Sequence, residues 1–208
     1  ESNPDVCMPH VAMTLYNLAN LQKDLGRYDE AEENYLKALR IYRQLADSNP
    51  EVFMSRVAGS LNNLANLQSD LNRYAEAEEN YQEALQIRCQ LADINPDAYM
   101  PRVAETLYNL ANLLSDKGCT GEAEENYLKA LQIRRMLAKS NPDVYMPRVA
   151  ETLNNLANLQ KDLGRYGEAE ENYKEALRIR RQLAEVNPEA FLPAMATTLW
   201  NWACLKNE

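Results

Sequence analysis

Histidine is almost absent from this sequence, since His10 is the only one among 208 residues. No motif places a nucleophilic side chain beside a base, so no serine, cysteine or aspartate has an evident activating partner. The sequence also lacks a glycine-rich phosphate-binding loop. These absences predict that the chain is not an enzyme and has no cofactor.

Cysteine is scarce as well, and its placement follows no pattern. The chain has four cysteines, Cys7, Cys89, Cys119 and Cys204. They form no C-x-x-C pair and lie at different phases of the repeat described below, which argues against a zinc site or a disulfide framework. We therefore expect no metal site and a reducing, cytoplasmic location.

Long apolar runs and an excess of basic residues are also missing. No run approaches the roughly 20 residues that a membrane-spanning helix needs. The first residues, Glu1 to Pro4, lack the basic and apolar segments of a secretion signal. With 31 acidic and 22 basic side chains the formal charge is -9, so a nucleic-acid backbone would be repelled. We expect a soluble chain that binds neither membranes nor nucleic acids. The missing initiator methionine indicates a segment of a longer protein, or a processed or tagged product.

The sequence does contain a repeat of 46 residues. Asn-Pro recurs at this interval, at Asn3-Pro4, Asn49-Pro50, Asn95-Pro96, Asn141-Pro142 and Asn187-Pro188. The segments 3–48 and 141–186 differ at only 10 of 46 positions, so the copies occupy nearly the same backbone environment. The sequence predicts a single array over residues 1–208, with repeats 3–48, 49–94, 95–140 and 141–186 and a partial, capping segment 187–208.

Each repeat is predicted to form two helices, A and B. In the first repeat, spacings of three and four mark helix A at Val11, Leu15, Leu18, Ala19, Gln22 and Leu25. Helix B follows with the stripe Ala31, Tyr35, Ala38, Leu39, Tyr42, Leu45 and Ala46. Acidic clusters open helix B, and Arg40, Arg88, Arg134 and Arg180 stand near its end. This arrangement suits the helix dipole and predicts a solvated face.

Glycine, asparagine and proline predict where the helices end. Gly26, Asn72, Gly118 and Gly164 occupy one position between the two helices, where the chain must leave helix A through a left-handed residue. Asn-Pro predicts the end of helix B, followed by a short extended loop such as 95–100. Helix A is then expected to begin at Pro9, Pro101, Pro147 and Pro193, with Ser55 at this position in the second repeat.

The order of these residues resembles the tetratricopeptide repeat, whose pattern runs W-x2-L-G-x2-Y, then A-x3-F, then P. The first repeat reads Leu15-x2-Leu18-Ala19-x2-Gln22, then Ala31-x3-Tyr35. The first aromatic is leucine here, a longer helix B replaces the closing proline, and runs such as 153–157 are most similar to the kinesin-light-chain branch. The resemblance implies an all-α fold, a right-handed α-solenoid of about nine helices.

The resemblance also implies a function and a site. Tetratricopeptide arrays hold a protein or peptide partner on the inner face lined by helices A, and relatives grip the peptide main chain there with asparagine. The candidate residues are Tyr16, Asn17, Asn20, Asn62, Asn63, Asn66, Tyr108, Asn109, Asn112, Asn154, Asn155 and Asn158. Their amides offer donors and acceptors to an extended peptide. In the alternative interpretation, these asparagines bond neighbouring helices A and set their packing.

Arginines add a second set of candidates. Arg56, Arg102 and Arg148 share the phase of His10 near the start of helix A. They are candidates for meeting an acidic ligand, or for pairing with Glu105 and Glu151 within the chain. The carboxylate clamp of chaperone-binding relatives is disfavoured, because its lysine position holds Tyr16, Asn62, Tyr108 and Asn154.

Three functions stay open at this point. The leading one is a protein-protein interaction scaffold that holds a peptide. The second is homo-oligomerisation through the array ends, including self-association through the C-terminal helix that carries Trp200 and Trp202. The third is a regulatory segment of a larger multidomain signalling protein. In the third repeat the turn 117–121 lacks the leucine and tyrosine found at Leu163 and Tyr166, and we expect it to be the loosest hairpin.

Overall fold

A computed structural model of the chain describes residues 4–205, with side chains described from residue 7 onward. The described residues form nine helices: α1 (Pro4–Asp24), α2 (Tyr28–Ser48), α3 (Pro50–Asp70), α4 (Tyr74–Ile94), α5 (Pro96–Asp116), α6 (Thr120–Ser140), α7 (Pro142–Asp162), α8 (Tyr166–Val186) and α9 (Pro188–Leu205). Odd-numbered helices are helices A and even-numbered ones are helices B. This part of the chain contains no strand, so the predicted all-α fold is confirmed.

Two compact bodies make up the chain, an N-terminal body up to Leu113 and a C-terminal body from Leu114. In the N-terminal body α1 packs on α2, α2 on α3 and α3 on α4. In the C-terminal body α6 packs on α7, α7 on α8 and α8 on α9. In both bodies these helices pack in chain order, each on its neighbour, which places the fold in the α-solenoid class. Among residues 4–205 no helix is long and apolar enough to cross a membrane.

The repeat length follows directly from the helix bounds. Both helices of a repeat have 21 residues, and a three-residue turn and one asparagine complete the 46. The predicted extended loop at 95–100 is wrong, because α5 begins at Pro96, where a first-turn proline loses no helical hydrogen bond. The predicted helix starts are wrong as well: Pro9, Pro101, Pro147 and Pro193 lie inside their helices. Each removes one backbone bond, and the remaining bonds carry the helix past it.

The turns between helices A and B have the predicted left-handed residue. The φ angles are 73° at Gly26, 59° at Asn72, 78° at Gly118 and 72° at Gly164. In the fourth repeat Gly164 N donates to the carbonyl of Lys161 over 2.9 Å, and Arg165 N donates to the carbonyl of Gln160 over 2.8 Å. These bonds satisfy carbonyls at the end of helix A in the manner of a Schellman turn.

Alanines lie where the two helices of a hairpin cross. Eight are 0% exposed: Ala19, Ala65, Ala111 and Ala157 on helices A, and Ala31, Ala77, Ala123 and Ala169 on helices B. Side chains this small let the helix axes approach closely, and enlarging one would cost about 1–3 kcal/mol by overpacking.

The predicted buried stripe of α2 is confirmed, with Leu45 half-buried and the other members buried.

The predicted stripe of α1 is only partly buried. Val11 is 45% exposed and Leu18 41% exposed, whereas their equivalents in the second repeat, Val57 and Leu64, are each 2% exposed. The difference arises because, among the described residues, no helix precedes α1 to cover this side. Leu25 is 62% exposed because it already belongs to the turn.

The prediction of a solvated face is wrong for three arginines of helices B. Arg40 is exposed, but Arg88, Arg134 and Arg180 are only 6%, 5% and 8% exposed. These three share the phase of Tyr42, a member of the buried stripe, and not the phase of Arg40. The two positions are only two residues apart in helix B, yet an arginine at the first is exposed and an arginine at the second is buried.

Candidate functional site

A groove of about 540 Å³ lies in the N-terminal body, where helices α1, α3 and α5 stand side by side. Residues of α2 and α4 close its floor. Its lining includes His10, Tyr16, Tyr42, Arg56, Gly59, Ser60, Asn62, Asn63, Arg88, Arg102 and Glu105. The groove therefore gathers several of the sequence-predicted binding residues in one place.

Asparagines of neighbouring helices A bond to each other beside this groove. Asn63 Nδ2 donates to the hydroxyl oxygen of Tyr16 over 2.7 Å and to Asn20 Oδ1 over 2.9 Å. Asn20 Oδ1 also accepts a hydrogen bond from Tyr35 of α2 over 2.5 Å. The Tyr16 ring meets the Tyr35 ring edge-on at 5.9 Å, and burial raises the pKa of Tyr16. Three helices are thus joined by one polar cluster.

The same arrangement recurs along the chain. Asn109 Nδ2 lies 3.3 Å from Asn66 Oδ1, which also accepts the Tyr81 hydroxyl, and Asn158 Oδ1 accepts the Tyr173 hydroxyl. Bonds between neighbouring helices A, which the alternative interpretation of these asparagines requires, are therefore present at Asn20–Asn63 and Asn66–Asn109. The Nδ2 of Asn66 has no hydrogen bond in the described part of the chain.

Asn62 and Asn154 have a packing role. Asn62 is 2% exposed, and its Oδ1 accepts from Arg88 Nη1 over 3.1 Å and from Thr106 Oγ1 over 3.2 Å. Asn154 is 5% exposed, and its Oδ1 accepts from Thr198 Oγ1 over 2.9 Å. A buried oxygen that is already bonded offers little to a ligand, so these two residues act in helix packing.

Buried arginines connect each helix B to the following helix A. Arg88 Nη1 donates to the carbonyl of Arg102 over 2.9 Å and to Thr106 Oγ1, and burial lowers the pKa of Arg88. Arg134 donates in the same way to the carbonyl of Arg148 over 3.0 Å and to Thr152, and Arg180 to the carbonyl of Ala194 and to Thr198. Sequence reasoning missed these bonds, although Thr106, Thr152 and Thr198 recur in step with the arginines.

The first repeat is the exception to this pattern. Tyr42 takes the place of the arginine, and Ser60 takes the place of the threonine. Ser60 is 0% exposed, and its hydroxyl has no hydrogen-bond partner in the described structure. Both residues line the groove. The groove therefore lies at the junction that lacks an arginine between helix B and helix A.

The three candidate arginines differ in their partners. Arg102 pairs with Glu105 at 3.1 Å, and Arg148 pairs with Glu151 at 3.4 Å, so the expected intramolecular pairs exist. Arg56 is exposed and has no ion pair within the described residues, because Gly59 stands where the glutamate would be. An added Cβ at Gly59 would meet nothing within 4 Å. The groove thus contains one uncompensated guanidinium next to open space.

The remaining predicted residues lie along the same helices. Asn17 is exposed on α1, and Tyr108 and Asn112 are half-buried on α5. Asn155 is half-buried on α7, where its Oδ1 accepts from Asn154 Nδ2 over 3.3 Å. Among the side chains described, no group of three or more His, Cys, Asp or Glu residues could hold a metal ion.

Comparisons with known proteins agree with this architecture. A search of curated proteins finds no match. The crystal structure of BtubC (BKLC) from P. vanneervenii superposes with a TM-score of 0.76, covers 98% of this chain and 75% of that chain, and is 24% identical in sequence. At that identity the likeness shows a shared fold. A family model described as tetratricopeptide repeat matches residues 10–90 and 102–182, which is more than half of the sequence. The chain therefore belongs to the tetratricopeptide repeat family, whose members generally mediate protein-protein interactions and are typically non-catalytic.

Proposed function

We propose that this chain is a protein-interaction scaffold whose N-terminal groove binds an extended peptide carrying an acidic side chain. Arg56 is the observation that carries the proposal. It lines the groove, is exposed, and has no carboxylate partner in the described part of the chain. A guanidinium in this setting is available to a carboxylate of the ligand.

Charge around the groove supports an acidic ligand. The whole chain has a formal charge of -9, yet the groove is lined by Arg56, Arg88, Arg102 and His10 against a single carboxylate, that of Glu105. Arg88 is engaged in the core and Arg102 is paired with Glu105, so Arg56 is the cation left for a partner. A basic groove on an acidic protein attracts acidic segments and repels basic ones.

Polar groups in the groove suit a peptide backbone. The half-buried amide of Asn63 lines the groove, within reach of a main-chain N–H or C=O of the ligand. Tyr16 and Tyr99 add flat apolar surface with polar tips. Such groups bind an extended chain largely independently of its side chains, while Arg56 selects the acidic residue.

A peptide-display library tests this function. The protein is used to select from random decapeptides, and the enriched sequences are synthesised and titrated by calorimetry. We expect enrichment of Asp and Glu, and a loss of affinity of about tenfold in Gly59→Glu, because the new carboxylate pairs with Arg56 as Glu105 does with Arg102. Gly59→Gln is the matched control of equal size, and it should bind several times more tightly than Gly59→Glu.

A second control separates the groove from general charge effects. Arg148→Gln removes the same charge at the same phase of a helix A, but from an arginine already paired with Glu151. This variant should bind the selected peptides as the wild type does, whereas Arg56→Gln should weaken them. Selected peptides without acidic residues, or equal losses in Arg56→Gln and Arg148→Gln, would contradict the proposed groove function.

Self-association through an array end is a second candidate function, and exposed leucines on α1 favour it. Leu18 is 41% exposed and Leu21 55% exposed, whereas Leu64 and Leu67 at the same phase are at most 2% exposed. Light scattering over a concentration series tests the idea, because a monomer at high concentration contradicts it.

Four expectations from the sequence stay predictions. They are the cytoplasmic location, the similarity to the kinesin-light-chain branch, the regulatory role in a larger protein and the single array over residues 1–208.

A further inference from the structure

Ser60 carries a buried hydroxyl at the groove that no group of the protein satisfies. The residue is 0% exposed, it lines the groove, and its Oγ has no hydrogen-bond partner in the part of the chain that the structure describes. The equivalent hydroxyls of Thr106 and Thr152 each accept a hydrogen bond from a buried arginine. A buried polar group without a partner is unfavourable in the free protein, so Ser60 offers a donor that a ligand can use.

Arg56 borders the same part of the groove as Ser60. The two residues are four apart on α3, so they lie on one face of that helix. Gly59 between them adds no side chain, and a Cβ there would meet nothing within 4 Å. Tyr42 of α2 is close as well: burial raises the pKa of its hydroxyl, and the positive charge of Arg56 opposes that rise. A guanidinium and a hydroxyl donor therefore border one open space.

The charge of the groove exceeds what one carboxylate balances. The lining contains the guanidinium groups of Arg56, Arg88 and Arg102 and one carboxylate, that of Glu105. With His10 neutral, the lining has an excess of two positive charges. One Asp or Glu of a ligand would balance half of this excess, whereas a phosphorylated side chain carries about -1.5 to -2 at pH 7.

The number of ligand oxygens also favours a phosphate over a carboxylate. A guanidinium binds the two oxygens of a carboxylate side by side, which leaves no third oxygen for Ser60. A phosphate group on a side chain has three acceptor oxygens. With two of them on Arg56, the third can accept a hydrogen bond from the Ser60 hydroxyl.

We infer that the acidic group of the bound peptide is the phosphate of a phosphorylated serine or threonine, held by Arg56 and Ser60 together. The inference rests on the peptide-binding function proposed above. It adds that phosphorylation of the partner protein switches its binding to this groove on, and it assigns Ser60 as the residue that distinguishes a phosphate from a carboxylate.

Matched peptides test the chemistry of the acidic group. A decapeptide selected by the full chain is synthesised in three forms, with glutamate, serine or phosphoserine at its acidic position, and each form is titrated by calorimetry. We expect the phosphoserine form to bind at least about tenfold more tightly than the glutamate form, because it brings more charge and one further charge-assisted hydrogen bond. The serine form should bind most weakly.

A substitution at Ser60 tests its part in the selection. Ser60→Ala should weaken the phosphoserine peptide about threefold or more and leave the glutamate peptide unchanged, because glutamate has no oxygen left for the hydroxyl. Thermal denaturation should show the variant at least as stable as the wild type, since it loses a buried hydroxyl without a partner. The glutamate peptide is the internal control for the shape of the groove.

Free phosphate is the other source of the same chemistry. Inorganic phosphate in about tenfold excess over the peptide should leave the phosphoserine form bound, because the peptide main chain also contacts the groove. Displacement by inorganic phosphate would overturn the inference in favour of a free anion.

Two results with the peptides also overturn the inference. They are a phosphoserine form that binds no more tightly than the glutamate form, and equal effects of Ser60→Ala on both forms. Either result leaves the peptide-binding function of the groove standing. A failure of every form to bind refutes the function and the inference together.

Discussion

Arg88 donates a hydrogen bond from Nη1 to Asn62 Oδ1 over 3.1 Å, although the two side chains are only 6% and 2% exposed. The same guanidinium reaches the carbonyl of Arg102 over 2.9 Å, so one side chain of α4 contacts both α3 and α5. A buried guanidinium must satisfy its donors within the protein, and this requirement ties the positions of the two helices A to each other.

Removing Arg88 should destabilise the fold. In Arg88→Ala the buried oxygens of Asn62 and Thr106 lose a donor and a cavity opens, so we expect the free energy of unfolding to fall by about 2–4 kcal/mol. The measurement is urea denaturation followed by circular dichroism. Arg40→Ala is the control, because Arg40 is exposed on a helix B, and it should change stability by at most about 0.5 kcal/mol. Equal effects of the two substitutions would refute the assigned role.

The asparagines of α1 should separate into a packing residue and a surface residue. Asn20 Oδ1 accepts from Tyr35 and Asn63, whereas Asn17 is exposed and has no hydrogen bond in the described structure. Asn20→Ala should therefore lower the free energy of unfolding by about 1–3 kcal/mol, since it leaves a buried tyrosine hydroxyl without its acceptor. Asn17→Ala should be nearly neutral. Thermal denaturation of both variants checks this, and a neutral Asn20→Ala would count against the polar cluster.

The turn of the third repeat should open more readily than that of the fourth. Arg165 pairs with Glu168 and, at 2.6 Å, with Glu124, while Cys119 at the same position cannot form ion pairs. The backbone bonds of the two turns are alike, so the difference lies in side chains alone. Hydrogen exchange should be faster at Gly118 and Cys119 than at Gly164 and Arg165. Equal protection of the two turns would show that the arginine is dispensable.

Acid should weaken the turn before α4. The hydrogen bond from Arg73 lowers the pKa of Glu76 below its ordinary 4.5. Because the folded-state pKa is the lower one, the contribution of Glu76 is present above pH 4.5 and is lost as the pH falls through the folded-state pKa. The melting temperature of the wild type should exceed that of Glu76→Gln at pH 7, and the two should converge once the pH falls below the folded-state pKa of Glu76. A difference that does not change with pH would rule out this ion pair as a source of stability.

Particular residues show which features of the fold could be predicted from the sequence. Gly26 and Asn72 were assigned left-handed conformations from their position between two amphipathic segments, and the φ angles confirm this. The helix starts were placed five residues late, because proline is compatible both with a first turn and, less favourably, with a helix interior. Asn-Pro alone does not distinguish a one-residue break from a loop, since the next helix can begin at the proline itself.

The site was harder to anticipate than the fold. Arg56, Arg102 and Arg148 share one phase in the sequence, but only comparison of their partners separates Arg56 from the other two. The signal was present in the sequence, since Gly59 stands where Glu105 and Glu151 recur. Arg88 was interpreted as a surface residue because its helix end favours cations, and burial of a charged side chain is unusual unless it is bonded.

By itself the sequence determined the repeat length, the two helices of each hairpin, their left-handed turns and their small residues at crossings. These features depend on the conformation of neighbouring residues and on one periodic stripe, which are local properties of the chain. Only the tertiary structure decided which polar groups are used up in packing, at Asn20, Asn62 and Arg88, and which face outward, at Asn17 and Arg56. That choice depends on contacts between side chains far apart in sequence, whose geometry is set when the helices pack together.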